Sequence, residues 1–132
     1  MLQPDQLQRL AAKYQLTAFY LFGSFADGGF TDESDIDLAY LSNRKENHPD
    51  NGALYFDIKQ FLSREVDLVD LRRVPPAFAF QIVREGRVIY DRDPEIRTDF
   101  EDELIRNYLD FAVVNRMMHE DIAANFSGES GQ

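Results

Sequence analysis

The apolar residues of the chain recur at two different spacings, which predict a series of helices and strands. Apolar positions three or four residues apart are typical of a helix with one buried face, whereas short apolar or alternating runs are typical of strands. In chain order, these spacings predict a helix over 5–14, strands over 17–23 and 35–41, a helix over 53–63, a strand over 64–74, a helix from Pro75–Pro76 to Gly86, a strand over 87–91 and a long helix over about 94–126. We therefore expect an α/β or α+β protein.

Length and composition indicate one domain and add little to this picture. The chain has 132 residues, of which 44% are hydrophobic, and eleven Phe and six Tyr supply large side chains for a core. We expect a single folded domain over residues 1–126. The polar segment 127–132 is predicted to be a disordered tail.

Residue usage and charge exclude several classes of protein. The chain contains no Cys, which excludes disulfides, zinc–thiolate sites and cysteine nucleophiles and fits a cytoplasmic location. We expect no signal peptide, because the N-terminus MLQPDQLQRL lacks a basic segment followed by an apolar core. We also expect no membrane span, because no apolar run approaches roughly 18 to 20 residues. A formal net charge of −10 argues against direct nucleic-acid binding. The charge suits a divalent cation or a basic protein partner, or it is simply a soluble acidic surface.

Two aspartates stand one residue apart at the start of the predicted strand 35–41. Asp35 and Asp37 share one face of that strand, roughly 6.6 Å apart at the backbone, where their like charges repel each other. Such a pair either points into water or holds a cation, and Mg²⁺ prefers oxygen ligands of this kind. The strand 64–74 offers a third carboxylate from Asp67 or Asp70. These two point to opposite faces, so only one of them can join the pair.

Gly23 and Ser24 precede this acidic pair by a connector of ten residues, at a point where an apolar strand ends and a helix can begin. Glycine lets a phosphate approach the backbone. Free N–H groups at a helix N-terminus and the serine hydroxyl also favour an anion. A phosphate-binding turn followed by a metal-binding pair is the equipment for phosphoryl or nucleotidyl transfer. Gly-Ser or Asp-x-Asp alone is weak evidence, whereas the combination is specific.

The segment GSFADGGFTDESDIDL resembles the Gly-Ser, ten residues, Asp-x-Asp signature of the DNA polymerase β-like nucleotidyltransferase superfamily. The small size, the EVDLVDL strand and the VPPAFAFQIVREGRVIYD segment resemble its minimal nucleotidyltransferase (MNT) branch. The resemblance covers about residues 17–92 and, more loosely, the helix 94–126. It implies an α+β fold in which helices pack on a small mixed β-sheet, with a catalytic core over about 17–92 and a long C-terminal helix.

The resemblance also implies a role for each motif residue. It assigns the phosphate-binding turn to Gly23 and Ser24, and the metal-binding and catalytic carboxylates to Asp35, Asp37 and Asp67. The last of these would bind metal and activate the attacking hydroxyl, with Asp70 as the alternative. Many members read Gly-Ser-x-Ala-Arg-Gly, and here Asp27 replaces the arginine, which removes a possible phosphate or structural contact.

Members of the MNT branch are often antitoxins that are encoded beside a HEPN-domain RNase toxin. They transfer AMP from ATP to a tyrosine of that toxin and so inactivate it. The resemblance therefore implies a protein adenylyltransferase with ATP as substrate, two Mg²⁺ ions and a HEPN-domain toxin bound through the C-terminal helix. One alternative is a non-catalytic antitoxin that acts by binding alone. Another is transfer to a small molecule such as an aminoglycoside, but 132 residues leave little room for the additional substrate domain of such enzymes.

Overall fold

A mixed four-stranded sheet forms the centre of this computed structural model, which describes residues 2–23 and 35–125, with side chains through residue 109 and at 116. The strands are β1 (Leu16–Phe22), β2 (Ile36–Ser42), β3 (Val66–Asp70) and β4 (Arg87–Asp91). The helices within the described ranges are α1 (Pro4–Tyr14), α2 (Asn51–Lys59), α3 (Pro76–Glu85) and α4 (Pro94–Asn125). The strand order is β3-β2-β1-β4, with β2 parallel to β3 and the other neighbours antiparallel. The predicted α+β fold with a mixed sheet and a long C-terminal helix is confirmed.

Both faces of the sheet are covered, which explains why the central strands are apolar almost throughout. On one face, Phe19 and Tyr40 pack in a core with the apolar residues of α1 and α2. On the other face, Tyr20 and Leu41 pack with apolar residues of α3 and α4. Successive residues of β1 therefore enter opposite core layers. Because both layers are apolar, a charged side chain on a central strand can reach solvent only at the end of the sheet.

Several predicted boundaries differ from the observed ones, and at two of these an aspartate caps the element. Helix α2 begins at Asn51 rather than at residue 53, because Asp50 accepts a hydrogen bond from the Ala53 N–H at 3.1 Å. Strand β3 ends at Asp70 rather than at residue 74, because the Asp70 carboxylate accepts the Arg72 N–H at 3.0 Å and turns the chain. Both caps lie in segments that composition alone assigns to a loop or a strand.

Helix α4 is fixed to the sheet by a network of four partly or fully buried polar side chains. The Tyr20 hydroxyl of β1 donates to Glu101 Oε2 of α4 at 2.6 Å. The Arg97 guanidinium donates to Glu101 at 3.0 Å and to Asp91 of β4 at 2.7 Å. Burial, followed by the hydrogen bond to Glu101, raises the pKa of Tyr20, so its hydroxyl remains a proton donor. Within the described ranges, no helix is both long and apolar enough to cross a membrane.

Removing the Tyr20 hydroxyl is expected to weaken the fold through this network. The Tyr20→Phe variant keeps the ring but loses a buried hydrogen bond to a charged acceptor, which corresponds to about 1.5–3 kcal/mol of unfolding free energy. Urea denaturation would measure the loss. The matched control is Tyr55→Phe, whose hydroxyl bonds Glu65 at 3.0 Å on the protein surface. Equal losses for the two variants would contradict an anchoring role for the Tyr20 network.

Candidate active site

The chain turns sharply at Gly23, directly beside the carboxylate of Asp37. Phe22, the last residue of β1, pairs across the sheet with Asp37 of β2. Gly23 follows with φ 70°, a left-handed conformation that favours glycine. A Cβ at this position would overlap Asp37 Oδ2 and stand 3.0 Å from Asp37 Cγ. The absence of a side chain at residue 23 therefore leaves room for the carboxylate beside an exposed backbone turn.

A second carboxylate lies next to Asp37 because of the pairing between β2 and β3. The parallel register aligns Asp37 with Asp67, so their side chains leave the same face of neighbouring strands, about 4.8 Å apart at the backbone. The two carboxyl groups come within hydrogen-bonding reach of each other. Burial raises the pKa of Asp37, and the neighbouring charges of Asp67 and Asp35 raise it further.

Asp70 lies elsewhere, at the other end of β3. It pairs with Tyr40, three positions beyond the Asp37–Asp67 pair, and so falls on the opposite face of the sheet. One of its oxygens accepts the Arg72 N–H, and the other has no hydrogen-bond partner among the described residues. Burial raises the pKa of Asp70. The structure therefore brings Asp67, and not Asp70, to Asp37.

The remaining residues predicted from the sequence either lie beside the Asp37–Asp67 pair without joining it or fall outside the described residues. Asp35 immediately precedes β2, is exposed and acts on Asp37 through charge alone. Ser24 and Asp27 lie outside the described residues. The catalytic and metal-binding roles assigned to the motif residues stay predictions.

The donor set of this site fits a hard divalent cation. The ion pairs found among the described residues include none with Asp35, Asp37 or Asp67. In the same part of the chain, no group of three or more His, Cys, Asp or Glu converges closely enough to hold a metal ion. The carboxyl groups of Asp37 and Asp67 lie next to each other, whereas Asp35 influences Asp37 only through its charge. Paired carboxylates with oxygen-only donors suit Mg²⁺, which is commonly bound by one or two carboxylates together with waters and substrate phosphates.

A cavity of about 250 Å³ adjoins the Asp37 carboxylate. Its sheet side is formed by Phe22, Gly23 and Asp37, and its helix side by Phe78, Gln81 and Glu85 of α3. The apolar pattern of the sequence predicts α3, but it marks none of the helix residues that line this cavity, among which is also Ile82. Their spacing of three or four residues predicts that they share one side of α3. It does not predict a cavity, because the position of α3 beside the end of β1 is a matter of tertiary packing.

Comparison with known proteins identifies the family of the chain. The family model "Polymerase beta, Nucleotidyltransferase" matches residues 5–95. The chain belongs to the polymerase beta nucleotidyltransferase family. The predicted family and the predicted enzyme class of nucleotidyltransferase are thereby confirmed.

Several relatives of this nucleotidyltransferase extend the comparison over most of its length. The protein adenylyltransferase MntA of Shewanella oneidensis is 28% identical over 118 residues, which are 88% of this chain and 83% of the relative. A crystal structure of a toxin–antitoxin with AMP-PNP is similar with a TM-score of 0.72 and 25% identity, covering 92% of this chain and 98% of that one. A crystal structure of the toxin–antitoxin MntA-HepT is similar with a TM-score of 0.65 and 25% identity, covering 90% and 95%.

A side chain at residue 23 is expected to disable the nucleotidyltransferase. The Gly23→Ala variant would strain the left-handed backbone by about 1–2 kcal/mol and push its Cβ into Asp37. We expect the rate of nucleotidyl transfer to fall at least about a hundredfold, because misplaced catalytic groups lose that much. The control is Gly52→Ala in α2, where the nearest atom to a new Cβ is 3.4 Å away. Full activity in Gly23→Ala would show that the close approach to Asp37 has no catalytic importance.

Neutralising Asp37 is expected to stabilise the protein when Mg²⁺ is absent. The raised pKa means that the folded state disfavours the ionised carboxylate, so wild-type stability falls as the pH rises from the ordinary value of 3.8 through the folded pKa. Asp37→Asn removes this penalty and lets an amide donate to Asp67. Urea unfolding in a chelator should show a stabilised variant at neutral pH and a smaller difference at about pH 3. Asp5→Asn, at an exposed ion pair with Arg9, is the control and should change little.

Proposed function

We propose that this nucleotidyltransferase is the MNT antitoxin of a HEPN/MNT toxin–antitoxin pair. In this proposal, it transfers AMP from ATP to a tyrosine hydroxyl of its HEPN RNase partner, depends on Mg²⁺ and thereby inactivates the toxin. The observation that carries the proposal is the in-register pair Asp37–Asp67 beside the Gly23 turn. The 28% identity to a protein adenylyltransferase over 88% of the chain supports the protein acceptor.

The geometry supports a division of roles between the two paired carboxylates. Asp37 is half-buried beneath the Gly23 turn, whereas Asp67 is exposed on the edge strand β3. Both would hold Mg²⁺ together with waters and substrate phosphates, Asp35 would add its negative charge nearby, and the bound ion would neutralise charge on the triphosphate. Because Asp67 is the more accessible of the pair, it is the better placed to accept a proton from an incoming hydroxyl. This is the role that the resemblance implies for the third carboxylate.

The proposed reaction balances as a nucleotidyl transfer. The tyrosine oxygen forms a bond to the α-phosphorus of ATP, and the bond from that phosphorus to the oxygen bridging to the β-phosphate breaks. Pyrophosphate leaves, and the tyrosine proton passes to the Asp67 carboxylate. The backbone turn at Gly23 would contact the phosphates because no side chain at residue 23 intervenes, and Ser24 is the second phosphate-binding residue that the resemblance implies.

Helix α4 is the proposed docking surface for the partner. Ile105 and Leu109 lie four residues apart, on the same side of the helix, and are 37% and 53% exposed. The network around Arg97 fixes the preceding turns of the same helix to the sheet. An apolar strip on an anchored helix suits a protein partner, and the net charge of −10 suits a basic one that cuts RNA.

The proposal predicts that the chain adds AMP to its HEPN partner in the presence of ATP and Mg²⁺. Intact-mass measurement of the partner would show the added adenylyl groups. Asp37→Asn and Asp67→Asn should each reduce the rate at least about a hundredfold, because both remove groups that act directly in the transfer. Replacing Mg²⁺ by a chelator should have the same effect.

The matched control is Asp70→Asn, which changes an aspartate of the same strand on the opposite face. The asparagine oxygen can still accept the Arg72 N–H, so we expect transfer to continue. Loss of transfer in Asp70→Asn but not in Asp67→Asn would show that the third carboxylate is wrongly assigned. If the Asp37→Asn/Asp67→Asn double variant still protects cells from the toxin, neutralisation proceeds by binding alone and not by catalysis.

A further inference from the structure

A second cavity lies near the end of β3 that is remote from Asp67, between the turn after β3 and the helices α3 and α4. Its volume is about 280 Å³, below the roughly 300–1,000 Å³ of pockets for whole drug-sized ligands, so it has room for a group of about the size of one side chain. Most of its lining is apolar and comes from the turn, from α3 and from α4: Leu71, Val74, Pro76, Ala79, Phe100 and Leu104.

The cavity also contains an arginine, Arg72, whose guanidinium is held in one orientation. Its Nε donates a hydrogen bond to the Ser42 carbonyl oxygen at 3.1 Å. Its guanidinium carbon lies 5.2 Å from the centroid of the Phe100 ring, within the range of a cation–π contact. Burial lowers the pKa of Arg72, but an arginine side chain remains charged in proteins. Arg72 is therefore an oriented, half-buried cation.

This cation has hydrogen-bonding capacity that the described part of the chain does not use. Among the described residues, none accepts a hydrogen bond from the two terminal amino groups of Arg72. The Asp70 carboxylate accepts the backbone N–H of Arg72 and not its side chain. Glu103, which also lines the cavity, binds Lys45 instead, at 3.2 Å. A partly buried charge is costly without a hydrogen-bonded partner, so the two amino groups favour an anionic ligand.

We propose that this cavity binds a carboxylate that is carried on an apolar group. The ligand is either a free aliphatic carboxylic acid or the C-terminal carboxylate of a polypeptide whose last side chain is apolar. The two amino groups of Arg72 match the two carboxylate oxygens in a bidentate pair, while the apolar lining covers the attached group. Neither Asp37 nor a nucleotide takes part, so this site is separate from the one in the proposed function.

The charges of the lining favour a carboxylate over a phosphate. Arg72 and Lys45 are cationic and Glu103 is anionic, so the lining has one positive charge in excess, which suits a monoanion. A phosphate dianion would exceed that charge and would be repelled by Glu103. It would also leave the apolar lining without a contact, whereas an aliphatic acid satisfies both parts of the cavity.

Binding of isocaproate to the full wild-type chain tests the proposal without any variant. Nuclear magnetic resonance titration would follow the Arg72 Nε–H and the backbone N–H signals of Leu104 and Asn107. We expect isocaproate to bind at least about tenfold more tightly than isocaproamide, which has no charged oxygens for the guanidinium. Acetate should bind at least about tenfold more weakly than isocaproate, because it lacks most of the apolar group. Equal affinities for the acid and the amide, or no change in these signals, would overturn the proposal.

Short peptides that end in leucine distinguish the two sources of the carboxylate. If the peptide with a free C-terminus binds at least as tightly as isocaproate and its amidated form does not, the site accepts the end of a polypeptide. If only isocaproate binds, the site accepts a free acid, because the peptide backbone does not fit. Either result supports the carboxylate site.

Arg72→Lys tests the geometry of the guanidinium separately from its charge. Lysine keeps the charge but loses the bidentate fork and the bond from Nε to Ser42, so we expect the preference for isocaproate over isocaproamide to fall about tenfold. Arg73→Lys is the matched control, since Arg73 is the exposed neighbour outside the cavity lining and should leave the preference unaltered. A purely structural role of Arg72 would leave the acid-to-amide ratio unchanged in Arg72→Lys and would contradict the proposal, while the proposed transfer of AMP would stand.

Discussion

The register between the parallel strands β2 and β3 is the constraint on which the site depends. It aligns Asp37 with Asp67, and it simultaneously aligns the apolar pairs Ile36–Val66 and Leu38–Leu68. A slip of one residue would turn the exposed and buried faces of β3 around, which would remove Asp67 from Asp37 and expose core residues. The hydrophobic core therefore enforces a juxtaposition of like charges that electrostatics alone would oppose. The burial-raised pKa of Asp37 is a direct consequence of that arrangement.

The other parts of the site are brought to this pair through β1. Its last residue, Phe22, pairs with Asp37, and the next residue, Gly23, turns the chain against the carboxylate. From the other side, α3 ends against the same strand, and a Cβ at residue 86 would lie 2.6 Å from the Ile82 oxygen of α3 and 3.0 Å from the Leu21 oxygen of β1. Two glycines thus have separate reasons for their identity: Gly23 needs a positive φ and space for Asp37, and Gly86 needs space for the backbone of α3 and of β1.

The sequence could predict the local parts of this site but not the parts that depend on distant pairing. The spacing of Asp35 and Asp37 and the preceding Gly-Ser are local patterns, and so is the rule that Asp67 and Asp70 face opposite ways. Which of the latter meets Asp37 follows from the strand register, which no local pattern specifies. The cavity between β1 and α3 is likewise a product of tertiary packing. The early end of β3 is a third case, because the capping action of Asp70 competes with β-branched and apolar residues that favour a longer strand.

The anchoring network and the site share β1, which has a consequence for how a partner would act. Tyr20, which bonds Glu101, lies two residues before Phe22, so both side chains leave the same face of the strand. The first turns of α4 are therefore fixed relative to the strand that ends at Gly23. The exposed Ile105 and Leu109 follow on the same helix, four and eight residues after Glu101. A partner that docks on this strip would be held at a defined distance from Asp37 and Asp67. Such positioning is what a transfer to one chosen hydroxyl requires, because most of the rate in phosphoryl transfer comes from alignment and charge neutralisation.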